Sequence, residues 1–272
     1  MIWFHTPNKV VEIMRRHNIS PDRAFGQNFL IDETAMRSII SATKIENSDT
    51  VLEIGPGLGV LTKNLAAQAK GVTAIEADSR LLPALEETIK GAKNVEVILK
   101  DALKFDLNNL PPYSCFVSNL PYNVANPILR RVLSSGKFKM AVILIQSEVA
   151  DRLLAKPGTK TYGALTIFCR YYARIRKVRD VSPGCFFPKP KVRSTILRFD
   201  MHEGITPDPD LFMLVRQSFK HRRKTLMGNL IKAGYARTTL TKALQGSKTN
   251  KLSRAEELSL AEFQALYEAL NS

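Results

Sequence analysis

The sequence predicts an α/β fold, a largely parallel sheet covered on both faces by helices, followed by a small all-helical domain. Three observations predict it. Short apolar, β-branched runs alternate with amphipathic helical patterns from about residue 50. The first run ends in a glycine-rich turn, "LEIGPGLG". Strand-like patterns stop at "ITPDPD" (205–210), beyond which only short helical patterns remain. With 272 residues and 44% hydrophobic content, the chain has material for a real core.

Taken in order, "TVLEIG" (50–55) is strand one, "LTKNLAAQAK" a helix and "GVTAIEAD" (71–78) strand two. "SRLLPALEETIKG" is a second helix, with Ser79 as its N-cap and Gly91 just past its end. "NVEVILKDA" (94–102) is strand three, "YSCFVSN" strand four, "NPILRRVLSSG" a helix and "KMAVILIQ" strand five. The helices "SEVADRLLA" and "ALTIFCRYY" follow, then two strand-like pieces, "ARIRKVRDVS" and "STILRFD". These two lie too close for a helical crossover and are expected as an antiparallel edge hairpin. Further helices are predicted at 209–220, 223–233, 237–245 and 259–270. The expected domains are therefore 1–204, with an N-terminal segment 1–48, and 205–272.

Charge narrows the function. Forty Lys+Arg against 25 Asp+Glu leave +15. From Arg216 to Arg254 there are 11 basic residues and no acid; from Arg170 to Arg198 there are 9 against Asp180 alone. The second cluster is interleaved with Tyr171, Tyr172, Phe186 and Phe187, which favours a nucleic-acid partner over a merely solvated face. Apolar runs such as "MAVILI" are too short to span a bilayer, so no membrane role is expected. The start "MIWFHTPNKVVEIMRR" lacks a secretory apolar core. Cys115, Cys169 and Cys185 form no CxxC pair, and His5, His17, His202 and His221 have no metal-ligand spacing. A cytoplasmic chain without a metal is the expectation.

The chemistry gathers at strand ends. Gly55, Gly57 and Gly59 follow strand one and let backbone approach a ligand closely. Their GxGxG spacing, with Glu53 ahead of it, departs from the GxGxxG of dinucleotide binders and suits a ligand without pyrophosphate. Glu76, followed by Ala77, ends strand two, where a carboxylate accepts both hydroxyls of a ribose. Asp101, followed by Ala102, ends strand three; it could accept from an adenine amino group, though alone it would read as an N-cap. Together these positions describe a site for an adenosine without phosphates, with S-adenosylmethionine the obvious candidate. "NLPY" ends strand four. There the Asn119 side-chain oxygen and the Leu120 carbonyl can accept both hydrogens of an adenine N6 amine, and Pro121 fixes the backbone that presents them. Tyr122 offers a ring on which a base can stack, with Phe187 for its other face. Lys189, Lys191 and Arg193 in "FFPKPKVRS", and Arg222, Arg223 and Lys224 in "FKHRRKTL", suit phosphate contacts.

"GQNFLID", "VLEIGPGLGVLT", "AIEAD", "KDAL", "NLPYNVANPIL", "QSEVADRL", "FFPKPKVRS" and "FKHRRKTL" occur in that order. Across roughly residues 24–230 the chain closely resembles the KsgA family of small-subunit ribosomal RNA adenine dimethyltransferases. The resemblance implies a Rossmann-like, seven-stranded S-adenosylmethionine-dependent methyltransferase domain with a small helical, RNA-binding C-terminal domain. It implies dimethylation of N6 on two adjacent adenosines near the 3′ end of small-subunit rRNA, within an assembling subunit, by a monomer that releases S-adenosylhomocysteine. It alone gives "AFGQNFLID" (24–32) a role as a lid. Carried over by position, Gln27, Asn28, Leu30, Gly55, Gly57, Glu76, Ala77, Asp101, Ala102 and Asn119 would hold the cofactor, and Tyr122 and Phe187 would bracket the base. Two departures are His221, where the family often has Gln, and a short 205–210 linker. The related Erm enzymes, which act on large-subunit rRNA, typically carry "NIPY" and "SQNF"; "NLPYNV" and "GQNFL" favour the KsgA side. A non-catalytic assembly factor would not need Glu76, Asp101 and Asn119 intact.

Overall fold

The computed structural model describes residues 7–22, 25–247 and 249–272. The first six residues of the expected N-terminal segment, and Ala24 of its motif, lie outside the described residues. Helix α1 (Pro7–Arg16) and strand β1 (Phe29–Leu30) come first. Helix α2 (Glu33–Thr43) starts where the Asp32 side chain accepts from the Ala35 N–H at 2.7 Å. The alternation then runs β2 (Thr50–Ile54), α3 (Val60–Ala66), β3 (Gly71–Glu76), α4 (Leu82–Ile89), β4 (Val95–Leu99), β5 (Ser114–Asn119), α5 (Ala125–Ser134), β6 (Phe138–Gln146) and α6 (Ser147–Leu154). After α7 (Ala164–Tyr172) come β7 (Ala173–Val181), the two-residue β8 (Phe186–Phe187) and β9 (Ser194–Met201). Helices α8 (Pro209–Ser218), α9 (Leu226–Lys232), α10 (Arg237–Gly246) and α11 (Leu260–Asn271) complete the chain.

The sheet has seven strands in the order β4-β3-β2-β5-β6-β9-β7. The β2–β3, β3–β4, β2–β5 and β5–β6 pairs are parallel, so five neighbouring strands end on one edge with β2 and β5 side by side. That edge is where the strand order reverses, the usual ligand crevice of an open α/β sheet. β9 runs antiparallel to β6, from Met140↔Asp200 to Gln146↔Ser194. The two late strands are neighbours at the edge of the sheet beyond β6, as expected, with β9 against β6 and β7 outermost. Composition explains the order. Ile196, Leu197 and Phe199 of β9 are fully buried, whereas β7 exposes Arg174, Arg176, Lys177 and Arg179, charges that discourage edge-to-edge pairing. A separate two-stranded ribbon, invisible to any periodicity, pairs β1 with β8 through Phe29↔Phe187 and Leu30↔Phe186.

One sheet-covering cluster joins Ile39, Leu65, Val72, Val117, Val142 and Ile196; another sets Val10, Ile13 and Met14 of α1 against Leu58, Leu81 and Ala84. The chain divides into two compact units, 1–150 with 174–203, and 151–173 with 204–272. The crossing at Gly204 lies beside the expected boundary, but residues 151–173 belong to the helical unit. Ile167 of α7 and Tyr162 pack there with Leu214, Leu230, Leu244 and Phe263, and the Tyr162 hydroxyl donates to the Leu258 carbonyl at 2.9 Å. Asp78 rather than Ser79 provides the cap before α4, accepting from the Arg80 N–H at 3.1 Å. The three cysteines are free. Among the described residues no helix is long and apolar enough to cross a membrane.

Glu53, inside β2, is 1% exposed, and its Oε2 has no hydrogen-bond partner. Burial pushes its carboxyl up to about 8. A folded state that holds a proton which the unfolded chain has released loses stability as pH rises. Stability should therefore fall between the ordinary value of 4.5 and about 8, by up to about 1.4 kcal/mol per pH unit. Urea unfolding of Glu53→Gln across this range should show a flatter profile than the native chain, and identical profiles would refute the assignment.

Candidate active site

The carboxyl ends of β2, β3, β4 and β5 open onto a cavity of about 440 Å³. Its wall contains Gly55 and Gly57 after β2, Glu76 and Ala77 at the end of β3, Asp101 and Ala102 after β4, and Asn119, Leu120, Pro121 and Tyr122 at the end of β5. Gln27, Asn28 and Leu30 join them from ahead of α2. The residues expected at the cofactor and at the reacting edge thus share one cavity. Phe187 stands beside it, half-buried and paired with Phe29, a wall residue. Among the described residues no group of three or more His, Cys, Asp or Glu is placed to hold a metal ion.

Glu76 organises the centre. Its Oε2 accepts from the Gly57 N–H at 3.1 Å, and its Oε1 accepts from the N–H groups of Ala77 and Asp78, both at 2.9 Å. Burial pushes this carboxyl up, and the three backbone donors pull against that. The loop that delivers the Gly57 N–H demands glycine: φ is +59°, and a Cβ would sit 3.1 Å from the Phe29 ring. Asp101 is exposed, and its Oδ1 accepts from the Leu103 N–H at 2.8 Å, a turn that leaves Oδ2 to a ligand. Glu53 adds an unpartnered carboxyl oxygen to the same wall. The sequence marked that acid without giving it a role.

The segment 25–32 is fastened to this centre on three sides. Gln27 donates from Nε2 to Asp78 Oδ2 at 2.7 Å and accepts at Oε1 from the Asp22 N–H at 2.8 Å. Arg80 grips Asp78 through Nε at 2.8 Å and through a terminal nitrogen at 2.7 Å, and reaches Asp22 at 3.1 Å. That grip holds the Asp78 carboxyl below its ordinary range. Asn119 donates from Nδ2 to the Asn28 carbonyl at 3.0 Å, which leaves its Oδ1 to offer. Gly26, at φ +63°, lies so close to the next loop that a Cβ would meet Asn123 Oδ1 at 3.1 Å and the Tyr122 nitrogen at 3.4 Å. Sequence reasoning missed Asp78 and Arg80; the only local signal was a second acid two residues after Glu76.

At the exit of β5 the Leu120 N–H donates to the Leu144 carbonyl at 3.1 Å, so the loop leaves the sheet under control of β6. The Tyr122 hydroxyl shares a 2.6 Å hydrogen bond with Ser194, and burial raises the phenol above its ordinary range. Lys189, Lys191 and Arg193 are exposed on the loop between β8 and β9. Arg222, Arg223 and Lys224 belong to the helical unit. Arg222 is already engaged there with the carbonyl of Lys160 at 2.6 Å and with Glu256 at 3.0 Å, whereas Arg223 and Lys224 are exposed beside it.

Ala at position 57 would have to take a left-handed conformation at about 1–2 kcal/mol and also displace the Phe29 ring. Gly57→Ala should therefore weaken S-adenosylmethionine binding, measured by calorimetry, by about tenfold or more; unchanged affinity would remove the glycine loop from the ligand site.

The model of the family "Ribosomal RNA adenine dimethylase" matches residues 19–272. "Ribosomal RNA small subunit methyltransferase A" of Clostridium botulinum is 39% identical over 267 residues, covering 95% of this chain and 97% of the relative. The protein of the same description from Deinococcus radiodurans is also 39% identical, covering 98% and 91%. Among solved structures, a dimethyladenosine transferase from Plasmodium falciparum superimposes with a TM-score of 0.80 at 29% identity, covering 89% of this chain and 97% of that one. The 23S rRNA methyltransferase ErmE does so with 0.72 at 26% identity, covering 90% and 100%. Four adjoining strand ends with this set of side chains, a family model across nearly the whole chain and relatives at 39% identity lead to one conclusion: the chain belongs to the ribosomal RNA adenine dimethylase family.

Proposed function

We propose that this protein dimethylates N6 of two adjacent adenosines in the 3′-terminal hairpin of small-subunit ribosomal RNA, using S-adenosylmethionine and releasing S-adenosylhomocysteine. One observation carries the reading. Asn119, at the end of β5, is locked by its amide nitrogen to the Asn28 carbonyl and keeps its Oδ1 free, in the same cavity as Glu76 and Asp101. The curated relatives described as small-subunit enzymes, 39% identical, favour this over an Erm-type large-subunit reading. We place the reaction in the cytoplasm, on an assembling subunit, with the enzyme acting as a monomer.

The cavity suits the methyl donor. Glu76 is a buried carboxyl with lone pairs to spare beyond its three amide bonds, fit for two ribose hydroxyls. Asp101 would take the adenine amino group, Gly55, Gly57, Ala77 and Ala102 the close backbone contacts, and Gln27, Asn28 and Leu30 the methionine end. When bound, the donor supplies a methyl group activated by an adjacent positively charged sulfur.

The remaining work falls to the chain. An adenine N6 amine is a poor nucleophile because its lone pair is delocalised into the ring. Asn119 Oδ1 and the Leu120 carbonyl accept its two hydrogens, draw the nitrogen toward tetrahedral geometry and aim the lone pair. Tyr122 and Phe187 hold the flipped base between two faces. The N6 proton leaves after transfer, so positioning and preorganised acceptors do most of the catalysis. Exposed Lys189, Lys191, Arg193, Arg223 and Lys224 contact phosphates and set register without reading sequence.

Asn119→Ala should lower methyl transfer to 30S particles by roughly a hundredfold, and undiminished transfer would defeat the mechanism. Labelled donor offered with 30S and 50S particles should mark only the small-subunit RNA, as dimethyladenosine at adjacent positions. Label confined to 50S particles would instead establish the Erm-type activity. Reversing charge in the Arg223→Glu/Lys224→Glu double variant should reduce the slope of log affinity for RNA against log salt by about two. Donor affinity should stay unchanged, and an unaltered slope would exclude these two residues from the RNA contact.

A further inference from the structure

Ser194 is the first residue of β9 and is wholly buried, and its hydroxyl shares the 2.6 Å hydrogen bond with Tyr122. It reaches the carboxyl edge only because β9 runs antiparallel to β6, which sets Ser194 opposite Gln146, the last residue of β6. The neighbouring Thr195 faces the other side, where its Oγ1 bonds Ser147 Oγ and donates to Asp180 Oδ1, both at 2.9 Å. The Ser147 N–H donates to the Arg193 carbonyl at 2.9 Å. The start of β9 is thus fixed by Thr195 and by the Arg193 carbonyl. Ser194 needs no hydroxyl for any of that, since its backbone makes the strand pairing. The bond to Tyr122 serves the loop, not the sheet.

A ring attached only through its own Cβ turns about two side-chain torsions. Tethering the hydroxyl, which lies on the Cβ–Cγ axis, fixes the direction of that axis and so the place where the ring stands. Phe187, the expected opposite face, is set separately by its register with Phe29. Both faces of the base slot are therefore referenced to one segment, 186–194.

We infer that Ser194 is a positioning residue for methyl transfer: its hydroxyl anchors the outer end of the Tyr122 ring in advance, so that the target adenine enters a slot already formed. The inference rests on the reading of Tyr122 as a stacking face for the target base. Ser194 touches neither donor nor base and acts through Tyr122.

The test is a double-mutant cycle on the full chain, with a small-subunit rRNA hairpin as substrate. Ser194→Ala and Tyr122→Phe should each lower kcat by about five- to tenfold, the worth of one hydrogen bond. Donor affinity by calorimetry should change by less than about twofold, within the scatter of hydrogen-bond contributions. The double variant should be no slower than the slower single one, because both changes delete the same bond. Ser194→Thr, which keeps a hydroxyl, should recover much of the rate. With 2-aminopurine at the target position, binding should quench fluorescence less in Ser194→Ala than in the native enzyme. Full turnover in Ser194→Ala, or single effects that multiply, would overturn the inference, as would a lowered Tm with kcat per folded enzyme unchanged. Tyr122→Ala separates this from the reading beneath it. If that variant turns over normally, stacking itself is wrong. If it is inactive while Tyr122→Phe and Ser194→Ala are normal, only the role of Ser194 falls.

Discussion

Three backbone amides converge on the Glu76 carboxylate, and the shape of the site follows from that. A carboxyl 5% exposed is costly to ionise unless donors replace the water it has lost. Glu76 has those donors, from Gly57, Ala77 and Asp78, whereas its neighbour Glu53 has no backbone donor and an orphan oxygen. Burial pushes both carboxyls up, and the charge on Glu76 raises Glu53 further. The two acids at adjacent strands are thereby sorted. Glu76 carries the support for a charge, and Glu53 is the one held protonated. Because one donor is on the glycine loop and two are on the turn after β3, satisfying Glu76 also fixes both loops relative to each other.

From that turn the order spreads outward. Asp78 gives its backbone to Glu76 and its side chain to Gln27, so the floor of the cavity and the segment over it share one residue. Arg80 closes the circuit to Asp22 and lies 5.7 Å over the Phe25 ring. Arg80 and Asp22 are partly exposed, and the ion pair between them contributes little by itself. Their value is geometric: together with Asn119 on the Asn28 carbonyl, they hold a segment whose only strand is two residues long. Such a segment could not be ordered by its own propensity.

The strand ends were legible because each announces itself locally. Gly55, Gly57 and Gly59 break a β-branched run, Glu76 and Asp101 are acids where apolar runs stop, and Pro121 cannot continue a strand. What stayed hidden depends on partners distant in sequence. Two-residue strands have no period, so the pairing of β1 with β8 could not be read. The apolar stripe of α7 would serve equally under a sheet or in a bundle, and nothing local assigns 151–173 to the helical unit. Both Asp78 and Ser79 are good cap residues, and only the bond from Arg80 decides between them. Ser194 reads as the start of a strand, but nothing local shows that its hydroxyl is bonded to Tyr122.

The interior placement of β9 ties these observations together. A seventh strand parallel to β6 would deliver its last residue to the carboxyl edge and send its preceding loop to the opposite edge. Running antiparallel, β9 starts at the carboxyl edge, so the loop 186–193 that precedes it stays there with its aromatic and basic residues. The direction of one strand therefore determines that Phe187, Lys189, Lys191 and Arg193 share an edge with Asn119 and Tyr122. The apolar side chains of Ile196, Leu197 and Phe199 make that direction affordable by allowing β9 to be buried between β6 and β7. Core composition in β9 is in this sense a determinant of the active site: the residues that fill the sheet interior also decide which loop faces the base.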